Sequence, residues 1–237
     1  MVKDGLAVIM PVYNEAEIIN EVLAKWLKEL SGLGIDFSLH VYNDGSRDNS
    51  REVLDKIALQ DYRVIVHHKV NSGHGPTLIQ GYCENLHNDW IFQVDSDDEI
   101  MPWSFAILWS KKNNYDFLIG RRGLSSRPFS RKIISLISRF TTAVFYGKGI
   151  SDVNSPCRLM RVESIKDVIL SLPKDTFAPN IILSGMACRK ELRILELPVP
   201  HRNRRTGEAS IKKGRLLLVA VKSLLQIIQY RLSTHAA

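Results

Sequence analysis

The chain has few cysteines, only Cys83, Cys157 and Cys188 among 237 residues. Because they are odd in number, widely separated and not paired at metal-ligand spacing, they argue against a disulfide framework or a zinc site. The sequence also lacks a charged and then apolar leader with a cleavage site, since "MVKDGLAVIMPVYNE" enters an apolar strand within five residues. We therefore expect reduced thiols and a cytoplasmic protein.

No apolar run is long enough to cross a bilayer, which takes about 18 to 20 uninterrupted apolar residues. Lys222 interrupts the C-terminal stretch "KKGRLLLVAVKSLLQIIQYRL", and in "SRPFSRKIISLISRFTTAVFYGKG" apolar residues recur at helical spacing beside basic ones. We predict amphipathic helices near residues 130–146 and 212–232. Core packing explains one such helix, whereas two, each bordered by Arg and Lys, make a membrane surface an equal alternative.

Acidic residues are in the minority, with 25 Asp and Glu against 32 Lys and Arg, giving a net charge of +7. This excess favours an anionic partner, such as phosphate groups, nucleic acid or a membrane surface. The chain has no recognisable RNA-binding motif and little aromatic surface between its basic residues. We therefore predict no nucleic-acid partner, and a lipid phosphate fits the arginine clusters better.

Apolar, β-branched runs alternate with helical stretches along the first half of the chain. The runs are "LAVIMPVY", "FSLHVYND", "RVIVHH", "WIFQVD" and "YDFLIGRR", and the helical stretches include Glu15 to Leu30 and Asp48 to Gln60. This alternation predicts an α/β fold, a largely parallel sheet wrapped by helices. Ligands bind at the carboxyl ends of such strands, which here carry "PVYNE", "NDGS", "NSGHG" and "DSDDE".

One apolar run, "FQVDSDDEIMP" (residues 92–102), ends in the acidic residues Asp95, Asp97, Asp98 and Glu99. Carboxylates this close raise one another's pKa unless a cation or hydrogen-bond donors neutralise them. A turn followed by a helix start explains the same stretch equally well, because acidic residues favour the first turn of a helix. These residues alone leave both interpretations open.

Four short pieces occur in a fixed order: "MPVYNE" (10–15), "YNDGS" (42–46), "NSGHG" (71–75) and "VDSDDE" (94–99). Each is weak alone, but together, each at the end of a predicted strand, they strongly resemble the family 2 glycosyltransferases with a GT-A fold. "IGRRG", "DVNSPCRLMR" (152–161) and "PVPHRNRRTGEAS" (198–210) extend the similarity to dolichol- and polyprenyl-phosphate glycosyltransferases, over nearly the whole chain.

The resemblance implies a single Rossmann-like domain with a mostly parallel sheet flanked by helices. We expect a nucleotide-sugar-binding half (residues 1–122), an acceptor-binding half (123–211) and a C-terminal amphipathic helix (212–237).

The resemblance also assigns the donor site. Asp95 and Asp97 match the family's DxD motif, which holds a divalent cation, Mg²⁺ or Mn²⁺, against the diphosphate of a nucleotide sugar. Hard oxygen ligands suit that cation, and the cation stabilises a departing diphosphate. Asp98 is extra relative to the pattern, and Asn43 stands where relatives usually have a second Asp. The expected nucleotide-sugar-binding residues are Pro11, Tyr13, Asn14, Glu15, Asp44, Gly45, Ser46, Asn71, Gly73, Asp95 and Ser96.

The acceptor half is rich in groups suited to phosphate, because arginine binds phosphate oxygens bidentately. Arg121 and Arg122 end a predicted strand at the same rim, and we assign them to catalysis with Asp95 and Asp97. The expected acceptor phosphate-binding residues are Ser155, Arg158, Arg202, Arg204, Arg205, Ser210 and Lys212. Relatives read "R..G.S" in the last loop, whereas this chain has one additional residue before Ser210.

A missing carboxylate bears on the acceptor. Relatives that glycosylate a hydroxyl use an Asp as general base, but "DTFAPNIIL" has Pro179 and Asn180 near the comparable place. A phosphate monoester is already largely anionic at neutral pH and needs no base. We therefore expect an inverting transfer from a UDP- or GDP-sugar to a polyprenyl (dolichyl or undecaprenyl) phosphate at the cytosolic membrane face. A small membrane-protein partner would fit the lack of a transmembrane helix.

Two alternatives stay open. The first is a family 2 transferase that acts on a sugar hydroxyl in cell-surface polysaccharide synthesis, with Asp175 as a displaced base. The second is a catalytically silent nucleotide-sugar binder that docks on a membrane partner, and it predicts metal-dependent nucleotide binding without turnover.

Overall fold

A computed structural model of the chain describes residues 4–123 and 150–202, together with Gln226 and Tyr230. The predicted helix at 130–146 and nearly all of the one at 212–232 lie outside the described residues, as do Arg204, Arg205, Ser210 and Lys212. No helix within the described ranges is long and apolar enough to cross a membrane.

Up to residue 122 the described elements alternate between strands and helices, as the sequence pattern predicts. In chain order they are β1 (Gly5–Val12), α1 (Ile19–Gly32), β2 (Asp36–Asp44), α2 (Ser50–Gln60), β3 (Val64–Lys69), α3 (His74–Glu84), β4 (Trp90–Gln93), α4 (Ser104–Trp109), β5 (Phe117–Arg122), β6 (Arg158–Arg161), α5 (Val162–Ser171), α6 (Pro179–Arg189) and β7 (Ile194–Val199).

The seven described strands form one sheet in the order β3-β2-β1-β4-β6-β5-β7. All neighbouring strands are parallel except β6, which runs antiparallel to both β4 and β5. The prediction of a mostly parallel α/β sheet is therefore confirmed. Strands β6 and β7, which the apolar pattern did not predict, enter the sheet from the second half of the chain.

Helices cover both faces of the sheet, and the pleat of β1 shows why. Its side chains alternate between two cores, Val8 and Met10 on one face and Ala7 and Ile9 on the other. The first core includes residues of α1, α2 and α4, and the second includes residues of α3, α5 and α6. Because both faces are buried, the central strands read as continuous apolar runs.

The parallel register brings the polar strand ends to one edge, called here the rim. Val12 at the end of β1 lies beside Asn43, and Asp44 at the end of β2 lies beside Lys69. Because β6 is antiparallel, its first residue, Arg158, reaches the same rim and lies beside Gln93 and Ile119.

Candidate active site

The loops after β1 and β2 are bound to each other. Asn14 has a left-handed backbone (φ 55°), its amide N–H donates to Ser46 Oγ (3.0 Å), and its Oδ1 accepts from the Arg47 amide (2.7 Å). The Glu15 amide donates to Ser50 Oγ at 3.0 Å. Tyr13, the residue before Asn14, is 39% exposed. The two predicted nucleotide-binding motifs therefore form one rigid unit with an exposed aromatic ring.

Asp44 is buried and joins β2 to the loop before α3. Its carboxylate accepts hydrogen bonds from the Ser72 and Gly73 amides, each at 2.8 Å, and pairs with the Lys69 ammonium. Burial by itself raises the pKa of Asp44, but Lys69 and the two amides outweigh it and hold that pKa below its usual range. Asp44 is therefore ionised and helps to fix the shape of the loop.

The glycine at position 45, in the loop after β2, is required for a steric reason. Gly45 has φ +67°, and a Cβ added there would lie 2.7 Å from the Asn71 amide nitrogen. Asn71 Nδ2 donates to the Asp44 carbonyl at 2.7 Å, which holds the two loops in this close contact. Only a residue without a side chain fits at position 45.

Asn43, which stands where relatives usually have a second Asp, is a buried turn residue. Its Oδ1 accepts from the Ser46 amide at 3.1 Å, and its Nδ2 is 3.1 Å from His68 Nδ1. His68 Nε2 in turn lies 2.8 Å from Asp55 on α2. The amide therefore ties β2 to β3.

The two DxD carboxylates have different surroundings. Asp95 Oδ1 lies 3.1 Å from His74 Nε2, at the start of α3, whereas Asp97 Oδ1 accepts from the Glu99 amide at 3.1 Å. Burial raises the pKa of Asp95, but the positive charges of His74 and Arg122 outweigh it and hold that pKa below the ordinary value. An ionised carboxylate therefore stands at the rim next to the start of α3.

The donor set fits a divalent cation that is shared with a substrate. Within residues 4–123 and 150–202, no group of three or more His, Cys, Asp or Glu side chains is arranged to hold a metal ion alone. Mg²⁺ characteristically binds one or two protein carboxylates together with substrate phosphates and water. Asp95 and Asp97 would supply those carboxylates, and a diphosphate would supply the remaining oxygens.

Asp98 differs from Asp95 and Asp97 in its backbone conformation and in its burial. It has a left-handed conformation (φ 58°), and its side chain is 2% exposed. Its carboxylate pairs with Lys25 Nζ on α1 (3.1 Å) and with the Arg202 guanidinium. The extra acidic residue of the motif therefore makes internal ion pairs.

Arg121 and Arg122 end β5 at the rim, as predicted, but in different environments. Arg121 is exposed, whereas Arg122 forms a two-point ion pair with Asp152, with Nε–Oδ2 at 3.0 Å and Nη2–Oδ1 at 3.1 Å. The backbone amide of Asp152 donates to Glu196 Oε1 on β7 at 2.7 Å. Arg122 is therefore held in a fixed orientation by residues that are distant in sequence.

Ser155 and Arg158 do not face the rim surface. Both are fully buried, and Ser155 Oγ donates to the Gly120 carbonyl at 2.6 Å. The Arg158 guanidinium donates to the carbonyls of Val153, Ser155 and Asn180 at 2.8 to 3.2 Å, and burial lowers its pKa to about 10. This placement indicates a structural role, in contrast to the phosphate contact expected from the sequence.

Arg202 lies beside the acidic loop. Its Nε donates to the Asp98 carbonyl and its amide donates to the Glu99 carbonyl, both at 2.9 Å. Asp175, the candidate base of the hydroxyl alternative, is exposed in the segment between α5 and α6. That segment meets α3, since a Cβ added at Gly75 would lie 2.3 Å from the Phe177 carbonyl oxygen.

Three charged residues that organise the site were missed by the sequence analysis, namely Lys69, Asp152 and Glu196. Each stands in or beside a motif or predicted strand, but its partner is an unrelated stretch of chain. Asp152 and Glu196, for example, are 44 positions apart. The sequence signal for each of them was a charged residue in or beside an apolar or glycine-rich run. That signal does not indicate which distant residue the charge pairs with.

Comparisons with known proteins bear on the family and the fold of the chain. The family described as Glycosyl transferase family 2 matches residues 7–169. The undecaprenyl-phosphate 4-deoxy-4-formamido-L-arabinose transferase of Edwardsiella ictaluri is 28% identical over 221 residues, which is 90% of this chain. The chain spans 64% of that relative's length.

Two solved structures have the same fold. Glucosyl-3-phosphoglycerate synthase from Mycobacterium tuberculosis, in complex with Mn²⁺, UDP-glucose and phosphoglyceric acid, superposes with a TM-score of 0.68, 16% identity and coverage of 96% of this chain and 80% of that one. TarS from S. aureus gives a TM-score of 0.57, 17% identity and coverage of 95% and 72%. The predicted GT-A fold is thereby confirmed.

Proposed function

The chain belongs to glycosyl transferase family 2, and from that premise we propose that it transfers a sugar from a UDP- or GDP-sugar to a polyprenyl phosphate. The family makes it a transferase. The donor assignment is carried by one observation, the DxD carboxylates standing at the same rim as the loops after β1, β2 and β3. The acceptor assignment is supported by the 28% identical relative, whose name gives undecaprenyl phosphate as its substrate.

The donor would lie across the rim. Tyr13 offers an exposed ring to the nucleobase, and the loop of Asn71 and Gly73 offers close backbone approach. Asp95 and Asp97 would hold Mg²⁺ or Mn²⁺, a cation that neutralises the negative charge of a nucleoside diphosphate. The glucosyl-3-phosphoglycerate synthase of the same fold has been solved with Mn²⁺ and UDP-glucose, which supports a divalent cation here.

In the reaction, an oxygen of the acceptor phosphate attacks the anomeric carbon as the bond from that carbon to the diphosphate oxygen breaks. A single displacement inverts the configuration. Because a phosphate monoester has a second pKa near 6, the nucleophile is anionic at neutral pH and transfers no proton. Two described arginines would lie beside the donor diphosphate and the acceptor phosphate. They are Arg121, exposed at the end of β5, and Arg122, oriented by Asp152.

The proposal includes a location. Within the basic segment from Arg202 to Lys212, the residues from Arg204 onward would hold the lipid phosphate. The segments at 130–146 and 212–232 would rest on the cytosolic face of a membrane. A small membrane-protein partner is part of the same proposal.

A second candidate is transfer to a sugar hydroxyl. The observation that favours it is the exposed Asp175, whose segment packs against α3 next to His74. A hydroxyl acceptor would need this carboxylate as a general base. Asp175→Asn should abolish turnover if the acceptor is a hydroxyl and leave turnover intact if the acceptor is a lipid phosphate.

The deciding experiment incubates the purified chain with Mn²⁺ or Mg²⁺, a panel of UDP- and GDP-sugars and a short polyprenyl phosphate. Mass spectrometry follows glycosyl phospholipid and released nucleotide, with an Asp97→Asn variant run in parallel. We expect a cation-dependent glycolipid that the variant does not form. Nucleotide binding without lipid product from any donor would overturn the proposal and direct attention to glycan hydroxyls.

A further inference from the structure

The buried Asp98 makes contacts that the transfer chemistry does not explain. Its carboxylate, 2% exposed, faces two cations, Lys25 on α1 and Arg202 just after β7, whose side chains are 34% and 37% exposed. A carboxylate removed from water is stable only when it is paired and hydrogen-bonded. The left-handed backbone at Asp98 (φ 58°) is uncommon and strained for a residue with a side chain. Such strain persists where surrounding contacts compensate for it.

Backbone contacts reinforce the pair with Arg202. Ile100 and His201 form an antiparallel bridge, and the Arg202 amide donates to the Glu99 carbonyl at 2.9 Å. Arg202 Nε also donates to the Asp98 carbonyl at 2.9 Å. The Gly123 amide approaches His201 Nδ1 at 3.4 Å, which brings in the end of β5. Residues 98–100 and 201–202 therefore form a joint between two distant stretches of chain.

The position of this joint relates the two substrates. On one side, Asp98 directly follows Asp97 of the cation motif. On the other side, Arg204 and Arg205 follow Arg202 by two and three positions in the sequence. Lys25 contacts the same carboxylate but belongs to α1. It therefore joins the loop of Asp95 and Asp97 to a helix that packs on the sheet, and not to the basic segment. The two partners of Asp98 can therefore be separated experimentally.

We propose that the Asp98–Arg202 contact is a positioning contact for sugar transfer, one that holds the start of the basic segment against the loop carrying Asp95 and Asp97. Arg202 in this assignment aligns the acceptor site and does not itself bind the acceptor phosphate. The inference rests on the proposed function, because it concerns how the acceptor is placed against the donor.

The test compares Arg202→Gln, Asp98→Asn and the double variant with wild type. Both single variants should raise the acceptor KM about tenfold, and the double variant should be no worse than either one, because both remove the same contact. Mn²⁺ affinity in the presence of UDP and the donor KM should stay at wild-type values. Arg202→Lys, which keeps the charge, should recover part of the loss.

Lys25→Gln is the matched control. It also removes a cation from Asp98, but it leaves the contact with residues 201–202 in place. We expect its acceptor KM to equal that of wild type. Thermal unfolding of every variant separates a local effect from general destabilisation.

The results that would overturn the inference are specific. If Arg202→Gln raises the acceptor KM while Asp98→Asn leaves it unchanged or lowers it, Arg202 binds the phosphate directly. If neither variant changes the acceptor KM, the contact positions nothing.

Failure of the proposed function has a different signature. In that case the wild-type enzyme itself gives no polyprenyl product, whatever the variants do. Hydrogen exchange at the Arg202 amide then tests the joint without an acceptor. We expect about tenfold faster exchange in Asp98→Asn and Arg202→Gln than in Lys25→Gln. Equal exchange rates in all three variants would refute the joint.

Discussion

The two ends of the sheet present their polar residues differently. In the parallel region, β3-β2-β1-β4, each motif follows the carboxyl end of a strand and lies in a loop at the rim. In the mixed region, β6-β5-β7, the antiparallel β6 begins at the rim, so Arg158 is the first residue of its strand and is covered by α6. The fold class alone therefore predicts the position of a motif residue that follows a parallel strand. It does not predict the position of a motif residue at the start of an inserted strand.

The regions also neutralise charge in different ways. Asp44 in the parallel region is stabilised by the amides of a single neighbouring loop and by Lys69. In the mixed region, Asp152 pairs with Arg122 on β5, and Glu196 on β7 accepts from the amides of Ser151 and Asp152. The first arrangement leaves loops at the surface that can bind a ligand, and the second locks three elements together.

The largest effect should come from the parallel region. Asp97→Asn keeps an acceptor for the Glu99 amide but removes a negative charge from the cation motif. We expect turnover to fall by about 1,000-fold, a loss typical of a key electrostatic group, with unfolding unchanged. Steady-state rates with Mn²⁺ measure it. Asp61→Asn, at the opposite ends of the strands, is the control, and full activity in Asp97→Asn would contradict the cation assignment.

The next effect tests the structural role of Arg158. Arg158→Leu should lower the free energy of unfolding by about 3 kcal/mol, because it leaves the buried carbonyls of Val153, Ser155 and Asn180 without donors. Urea denaturation measures this. Arg161→Leu, on the same strand but 31% exposed in its side chain, should cost about 1 kcal/mol. If Arg158→Leu keeps wild-type stability but loses acceptor binding, then Arg158 binds the acceptor. The contrast between the two regions of the sheet would then disappear.

A smaller effect depends on pH. Burial, with a further contribution from His67, lowers the pKa of His40 on β2 to about 4. Because the unfolded chain takes up this proton near pH 6.5 and the folded chain does not, stability should fall between pH 6.5 and pH 4. At pH 5 the loss is about 2 kcal/mol relative to pH 7.5. His40→Gln should remove this component of the pH dependence in denaturant titrations, and an unchanged profile would contradict the assignment to His40.

The smallest effect is the difference of about 1 kcal/mol expected between two glycine variants, which separates backbone strain from steric contact. Gly34 and Gly45 both have positive φ, +62° and +67°, but only Gly45 has a neighbour within 4 Å of an added Cβ. Gly34→Ala should cost about 1 kcal/mol through backbone strain alone, and Gly45→Ala about 1 kcal/mol more. Calorimetric unfolding compares them. Only Gly45→Ala should also weaken UDP binding. Equal effects of the two variants on UDP binding would contradict the assignment of Asn71 to the donor site.

Particular residues show how far the sequence analysis reached. The five apolar runs became β1 to β5, and the motifs at their ends meet at one rim, because hydrophobic periodicity and the topology of parallel sheets are local or general rules. Strands β6 and β7 were missed, since "RLMR" is too short for a periodic signal and "ILELPV" is interrupted by a charge and a proline. Predictions for Arg204, Arg205, Ser210 and Lys212 stay predictions.

The sequence by itself determined the fold class, the family resemblance and the order of the motifs, because these depend on side-chain pattern along the chain. Only the tertiary structure decided which charged residues face outward. It paired Asp98 with Arg202, which is 104 positions away, and buried Arg158 among carbonyls while Arg121 stayed exposed. The physical reason is that the cost of burying a charge depends on its partners in space, and strand insertion and helix packing choose those partners.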